Sequence, residues 1–468
     1  MITDDQLTLI VRADRHASKR VSPGNRRALA AADVLISRER LTILLLFSFP
    51  LFVVSVRHWA SGIYILLALL ALTSLRHGWH TVHKEERVFV VVLLAYLASA
   101  LISNSLSGWT NASVRWSQAD LRVLSAIPIV VLLSRFPHAT VALLRAAPIA
   151  AVIAGAYAVY APADETGRAD GPYGPIFLGN VSALLALLSL ASMGCATYWP
   201  RIRIAIHSAG AALGLVAAVL SGTRSAWLAV VVCLPFAAAA ACNNGLKQRR
   251  RRVLLGLAVV VIASVGISIM EAPHLAKERV LGAIDEFQAY RTARTQAERD
   301  ALAITPIAFR LEQWRVGLAI FRERPLFGYG VGNAGKEVNR HVKAGRANRV
   351  LYSGHAESGR PSHLHNAYLD ALAHKGIVGL LTLLLLLGHP AYVAFRMRSA
   401  ARTASNLVLV NAAAFVVFSL TEDPFIRNNF TSVYLIFAMS LFALMVHDSS
   451  RKQDLVSGAH ARTAGYAD

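Results

Sequence analysis

Charge is scarce in this chain. Asp, Glu, Lys and Arg make up 16% of its 468 residues, against about 25% in an ordinary soluble domain. Apolar residues reach 55% and the mean hydropathy is +0.47, which excludes most soluble classes. Acid is the scarcer sign: 27 Asp and Glu stand against 48 Lys and Arg, a formal charge of +21. Cysteine is nearly absent, and Cys195, Cys233 and Cys242 all fall inside apolar runs, so neither a disulfide framework nor a thiolate metal cluster is expected. A phosphate-cradling G-x-x-x-x-G-K-[ST] loop is missing as well. The first forty residues are polar and basic rather than a cleaved signal peptide.

What the chain does have is apolar runs as long as a bilayer is thick. Mainly apolar windows lie at 41–56, 59–75, 88–103, 121–134, 141–160, 176–198, 204–221, 224–242, 253–270, 376–395, 406–421 and 430–446. None alternates like a barrel strand, and a lipid-exposed segment must satisfy its own backbone hydrogen bonds, so each predicts a helix. The expected fold class is all-α: a polytopic integral membrane protein with about twelve transmembrane helices.

Positive charge supports that count, because Lys and Arg in short loops gather on the cytoplasmic side. With the N-terminus placed inside, the inner segments carry 25 Lys and Arg, while the short outer loops carry Arg57, Arg115, Arg168, Arg224 and Arg427. Arg122 and Arg145 sit in or beside spans. The run Lys247, Arg249, Arg250, Arg251 and Arg252 then reads as an orientation signal, and no nucleic-acid partner is expected. The implied map is a basic cytoplasmic tail over 1–40, helices one to nine over 41–270, a periplasmic loop domain over 271–365, helices ten to twelve over 366–446 and a cytoplasmic tail over 447–468.

The large outer segment opens with a charged, helix-favouring stretch from Ala276 to Leu302. Pro306 then begins a second helix on which Ile307, Leu311, Trp314, Leu318 and Phe321 form one apolar stripe, suited to the bilayer surface or to other helices. A glycine-dense turn with Gly328, Gly330 and Gly332 follows, then a basic stretch through Arg349 that reads as mobile.

The unusual residues fall on one membrane face by this count. Arg224 sits between two apolar runs with almost no loop, where a guanidinium is costly unless it reaches water or an anion. It reads either as a snorkelling arginine or as a bidentate phosphate ligand. Arg168 and Arg310 read singly as loop or interface charges; with Arg224 they can hold a diphosphate. His363 and His365 stand just before the tenth span, with His355 and His374 nearby. No thiolate and no well-spaced carboxylate completes a metal site there, although Asp370 is close. The competing readings are polar packing at a helix start and a general base with a pKa near neutral. The outer loops also show no Asp-x-Asp pair to hold a divalent cation.

His365-Asn366, nine residues, Gly376, two residues and Gly379 resemble the His-Asn-x9-Gly-x-x-Gly pattern of the O-antigen ligase superfamily, which includes O-antigen polymerases and protein O-oligosaccharyltransferases. Thr223-Arg224-Ser225-Ala226, the run from Arg310 to Gly330, and more loosely Arg168 with Gly171 and Pro175, are similar to other signatures of that family. The likeness covers roughly residues 160 to 425.

That resemblance implies an inner-membrane enzyme with a periplasmic site, an undecaprenyl diphosphate-linked O-antigen donor, a lipid A core acceptor and membrane lipids as partners. It implies no cofactor and no metal. His365 would be the general base, Arg224, Arg168 and Arg310 the ligands of the diphosphate, and His363, Asn366, Asp423, Gly328 and Gly330 supporting residues. Asp423 would orient His365 or a basic partner, or simply end a helix. A diphosphate leaving group needs charge stabilisation rather than a proton, whereas a sugar hydroxyl must lose one. Attack with inversion and no nucleotide consumption follows. A polymerase or a protein O-glycosylating enzyme would share this chemistry. A lipid-linked glycan transporter is the rival from another class, though carriers usually bind near mid-bilayer.

Overall fold

The structure, a computed structural model, describes residues 23–193, 200–241, 273–354 and 363–464. The expected span at 253–270, the basic run before it, and Cys195, Cys242 and His355 lie outside the described residues. Fifteen α-helices of seven residues or more are described: α1 Pro23–Leu51, α2 Trp59–Leu72, α3 Lys84–Ser107, α4 Asn111–Arg135, α5 Thr140–Tyr160, α6 Pro175–Ser192, α7 Pro200–Leu220, α8 Arg224–Ala241, α9 Pro273–Thr292, α10 Gln296–Leu302, α11 Pro306–Glu323, α12 Ala334–Lys343, α13 Ala367–Met397, α14 Arg402–Phe418 and α15 Asn428–Ala464. There is no β-strand among the described residues beyond one bridge, Ala163 to Ala169.

Among the described residues the protein is all-helical, and eight helices are long and apolar enough to cross a membrane: α3 to α8, α13 and α15. Twelve were expected. The windows at 59–75 and 406–421 become α2 and α14, of 14 and 17 residues, short of the ~20 that a perpendicular crossing takes. The window at 41–56 is cut where α1 ends at Leu51.

Local chemistry sets several helix starts. Thr110 caps α4 by accepting from the Ser113 backbone N–H at 3.1 Å, and Pro175 and Pro306 open α6 and α11, where a missing N–H costs nothing. Proline stands inside α4, α5, α8 and α13, which membrane-length helices tolerate better than soluble ones. The largest core runs through the bundle around Phe49, Phe177, Phe415, Tyr434 and Phe437.

The connections at one end of the bundle touch one another. The His58 backbone N–H, between α1 and α2, donates to the Tyr173 hydroxyl between α5 and α6. Arg427, between α14 and α15, donates to the Tyr173 carbonyl at 3.3 Å, and Arg168 donates to the Ser221 carbonyl between α7 and α8 at 2.7 Å. Cys233 Sγ of α8 lies 3.5 Å from the Val410 carbonyl of α14.

Helices α11 and α12 build a small second core of Val316, Ile320, Ala334, Val338 and Leu351 that meets Leu364 and Ala373 of the α13 approach. Two expectations change here. The face of α11 that packs inward carries Ala308, Glu312, Gln313, Val316, Gly317 and Ile320, because Leu364 lies close over Gly317, where a larger residue would collide. The predicted apolar stripe is left half-exposed, with Leu318 39% accessible, as a helix at a bilayer surface would be. The basic stretch expected to be mobile contains α12, tied by Arg340 to Glu337 at 2.6 Å and to Glu323.

Candidate active site

His365 sits at the entrance to α13 with φ 52°, in the left-handed region that costs a non-glycine residue about 1 kcal/mol or more. Its neighbours hold it there. The Leu364 N–H donates to Asp370 Oδ1 at 2.9 Å, and the Leu364 carbonyl accepts from Trp314 Nε1 of α11 at 3.1 Å. Asn366 caps α13, accepting from the backbone N–H groups of Tyr368 and Leu369 at 3.0 and 3.1 Å. Its Nδ2 donates to the Leu420 carbonyl at 3.0 Å, and the Ala367 N–H donates to the Ser419 carbonyl at 2.9 Å. The His-Asn pair is thereby locked between α11 and the α14–α15 connection.

That connection brings in a residue the sequence reading passed over. Glu422, fully buried, places Oε1 2.8 Å from His363 Nε2 and Oε2 3.5 Å from His365 Nδ1. The approaches are ion-pair contacts off the line a hydrogen bond prefers. The two imidazole rings are 4.2 Å apart. Arg427 approaches Glu422 at 4.0 Å, and Arg310 of α11 is within its electrostatic reach. Burial would raise the Glu422 carboxyl, but the adjoining His363 and His365, with Arg427, hold it well below the usual carboxylate range. Burial pushes His363 down despite Glu422 beside it, and likewise lowers Arg310, against the pull of Glu422.

Asp423 does not orient His365. Its side chain turns inward, where Oδ1 accepts from the Phe425 N–H at 2.9 Å. There it lines an interior cavity with Asp120, Asp370, His374 and Lys375. Burial pushes its carboxyl up. Lys375 Nζ lies 3.7 Å from the Tyr96 ring centroid in this cluster. His374 belongs here too, its ring tilted by 51° against that of Trp116 at a centroid distance of 4.7 Å.

Arg168 and Arg224 form the second half of the site. Besides its bond to Ser221, Arg168 directs a guanidinium NH2 to Thr223 Oγ1 at 3.3 Å, one residue from Arg224, the first residue of α8. Its side chain crosses Gly222, at φ +60°. Tyr173 links the halves: it sits in the segment that carries Arg168, and its carbonyl accepts from Arg427.

Gly328 and Gly330 do not face the histidines. Both have positive φ and dock on α13, with the Tyr329 and Gly330 N–H groups donating to the Ala373 and His374 carbonyls at 3.1 and 2.9 Å. A Cβ at Gly328 would lie 2.5 Å from His374, and one at Gly376, where α13 kinks at φ 65°, would lie 2.3 Å from Leu326. These glycines let two backbones touch, which sets the depth at which α11 and the α13 entrance meet.

The absence of a carboxylate to complete a metal set also needs revision. Donor atoms of His363, His365 and Glu422 all lie within 4.8 Å of one another, close enough for one divalent cation to bridge. Sequence distance hid the acid: of the adjacent pair in Thr-Glu-Asp-Pro the sequence pointed to Asp423, and only the fold shows that Glu422 is the one beside the histidines.

Residues 209–384 match the family model described as O-antigen ligase. The matched stretch holds Arg224, Arg310, His365, Asn366, Gly376 and Gly379, on which most of the resemblance rests, and also His363; Arg168, Gly171 and Pro175, its looser part, lie outside it, as do Glu422 and Arg427. The chain is also similar to an uncharacterized protein of Haemophilus influenzae, 21% identical over 371 residues that take in 76% of this chain and 86% of that one. The eight long apolar helices among the described residues fit a multi-pass membrane protein, and the likeness to the O-antigen ligase family lies in residues 209–384.

Proposed function

We propose that the protein transfers O-antigen polysaccharide from an undecaprenyl diphosphate carrier to lipid A core at the periplasmic face of the inner membrane. The observation that carries this reading is His365 held in a strained turn beside buried Glu422, at the same end of the bundle as Arg168 and Arg224. In His365 the buried nitrogen is Nδ1, on the Glu422 side, so Nε2 is the atom for chemistry.

An acceptor sugar hydroxyl gives its proton to His365 Nε2 as its oxygen attacks the anomeric carbon. The bond from that carbon to the diphosphate oxygen breaks with the electron pair leaving on phosphate, and configuration inverts. Arg224, Arg168 and Arg310 stabilise the departing charge, so no general acid is needed. Glu422 stabilises the imidazolium that forms, and His363 packs against it. The imidazolium then returns its proton to water.

The test is reconstituted transfer from a diphosphate-linked donor to purified lipid A core. Loss of capped core in a deletion strain supports a ligase. Altered chain length or a missing glycoprotein instead assigns the chemistry to a polymerase or a protein O-oligosaccharyltransferase. The spacing of His363, His365 and Glu422 favours one second reading, a divalent cation held by these three. Transfer that a chelator abolishes and a divalent cation restores would establish it.

A further inference from the structure

Arg122 is the charge that the proposed chemistry leaves without a task. It lies in the first half of α4, a membrane-length helix. Its NH1 donates to the Ser432 hydroxyl at 2.7 Å, its guanidinium carbon is 5.7 Å from the Tyr64 ring centroid, and it makes no ion pair with a carboxylate among the described residues. A guanidinium at that depth without an acid is expensive, so a ligand is expected to share its cost.

A groove of about 700 Å³ starts at this arginine and runs between α2 and α4. Arg122, Gln118 and Asn428, the first residue of α15, form its polar end; Leu69, Leu72 and Leu124 are among the residues that line the rest. Leu69 and Leu72 are 55% and 54% accessible, so the trough opens sideways. Its α4 wall runs from Gln118 to Pro128, roughly 15 Å along a helix, about half of a ~30 Å hydrocarbon core. The polar end is at the end of the bundle that carries Arg427 and Glu422, since Asn428 follows Arg427 directly.

We propose that this groove binds the isoprenoid chain of a single-chain polyprenyl phosphate lipid, with Arg122 as a contact for its anionic head. A trough between two helices takes one chain in single file, is one leaflet deep, and is open to lateral entry. Among the described residues its one charged lining residue is cationic, which complements a phosphate. The proposal rests on the reading of the protein as a polyprenyl diphosphate-dependent transferase, and it adds where the carrier lies.

Native mass spectrometry of the detergent-solubilised full chain with undecaprenyl phosphate, which bears no sugar, tests it without requiring transfer. Dioleoyl phosphatidate is the two-chain control with the same head-group chemistry. The expected result is retention of undecaprenyl phosphate at least tenfold above phosphatidate, reduced about tenfold by Ala68→Trp, which fills the trough, and by Arg122→Gln. Leu384→Trp, on an exposed face of α13, should leave retention unchanged. Should Ala68→Trp not fold, Leu69→Trp at an accessible position serves the same purpose. Equal retention of both lipids, or wild-type retention in the filled variants, overturns the proposal. Retention that follows these expectations in a protein without transferase activity instead leaves the groove in place and removes the proposed function.

Discussion

Glu422 Oε2 lies 3.5 Å from Nδ1 of His365, and the carboxylate is fully buried while the imidazole keeps about a quarter of its surface, 28%, exposed. The acid is held on the α14–α15 connection and the base at the α13 entrance, so their approach depends on the Ala367–Ser419 and Asn366–Leu420 hydrogen bonds. Such a buried acid orients an imidazole and stabilises its charged form without touching substrate. It is a positioning residue by this account, and His365 the catalytic one.

His365→Ala is expected to lower kcat for transfer roughly 10²–10⁴-fold, the usual worth of a positioned base, with the protein still inserted and monodisperse. Single-turnover transfer measures it. Near-normal transfer would remove His365 from the mechanism.

Glu422→Gln should lower kcat while leaving KM for the donor almost unchanged, because the acid acts through the imidazole. Asp423→Asn should not reproduce that kinetic split, since Asp423 faces the interior. An unaltered kcat in Glu422→Gln would refute the orienting role.

The two arginines of the second cluster should separate. Arg168 binds the Ser221 carbonyl and Thr223 hydroxyl, so Arg168→Lys should cost about 1–3 kcal/mol of stability as well as activity. Arg224→Lys should cost transfer with little change in thermal unfolding, because lysine keeps the charge but loses the bidentate geometry. Unfolding midpoints in detergent beside transfer rates make the comparison.

Acid should loosen the site. Glu422 is depressed below the ordinary ~4.3 of glutamate, so its contribution is complete above that value and is lost as pH falls through the folded one. His363, depressed from its ordinary ~6.5, resists protonation when folded, and stability falls as pH drops below that value towards the folded one. The unfolding midpoint should therefore decline from about pH 6.5 downwards. His363→Gln should remove the upper part of the decline and Glu422→Gln the lower; a midpoint flat from about pH 7 to 5 contradicts the first, and one flat below about pH 4 the second.

Gly376→Ala should destabilise by more than about 2 kcal/mol, combining a positive φ with a Cβ set 2.3 Å from the Leu326 backbone. Its lesion is the docking of α11's following turn on α13, so activity should fall with stability. Normal unfolding with lost transfer would instead assign this glycine a direct role in the chemistry.

Much of the architecture was legible because hydrophobic length and loop charge are local quantities. Eleven of the twelve apolar windows overlap described helices. The number long enough to cross differs because helix ends, such as Leu51 and Leu72, are set by turns that hydropathy windows overrun. The α11 stripe shows the same limit: periodicity found a helix, but the packed face is the one on which Leu364 lies close over Gly317.

Composition and motif spacing by themselves determined a helical membrane chain, the family it resembles, and the histidine and arginines on which its chemistry would rest. Tertiary structure alone decided which acid meets the histidine. Glu422 and Asp423 are adjacent in sequence, and only the turn between α14 and α15 sends the first to the imidazoles and the second into the interior. Adjacent side chains in a turn diverge, so chemistry that depends on direction is settled by the backbone path and not by the order of residues.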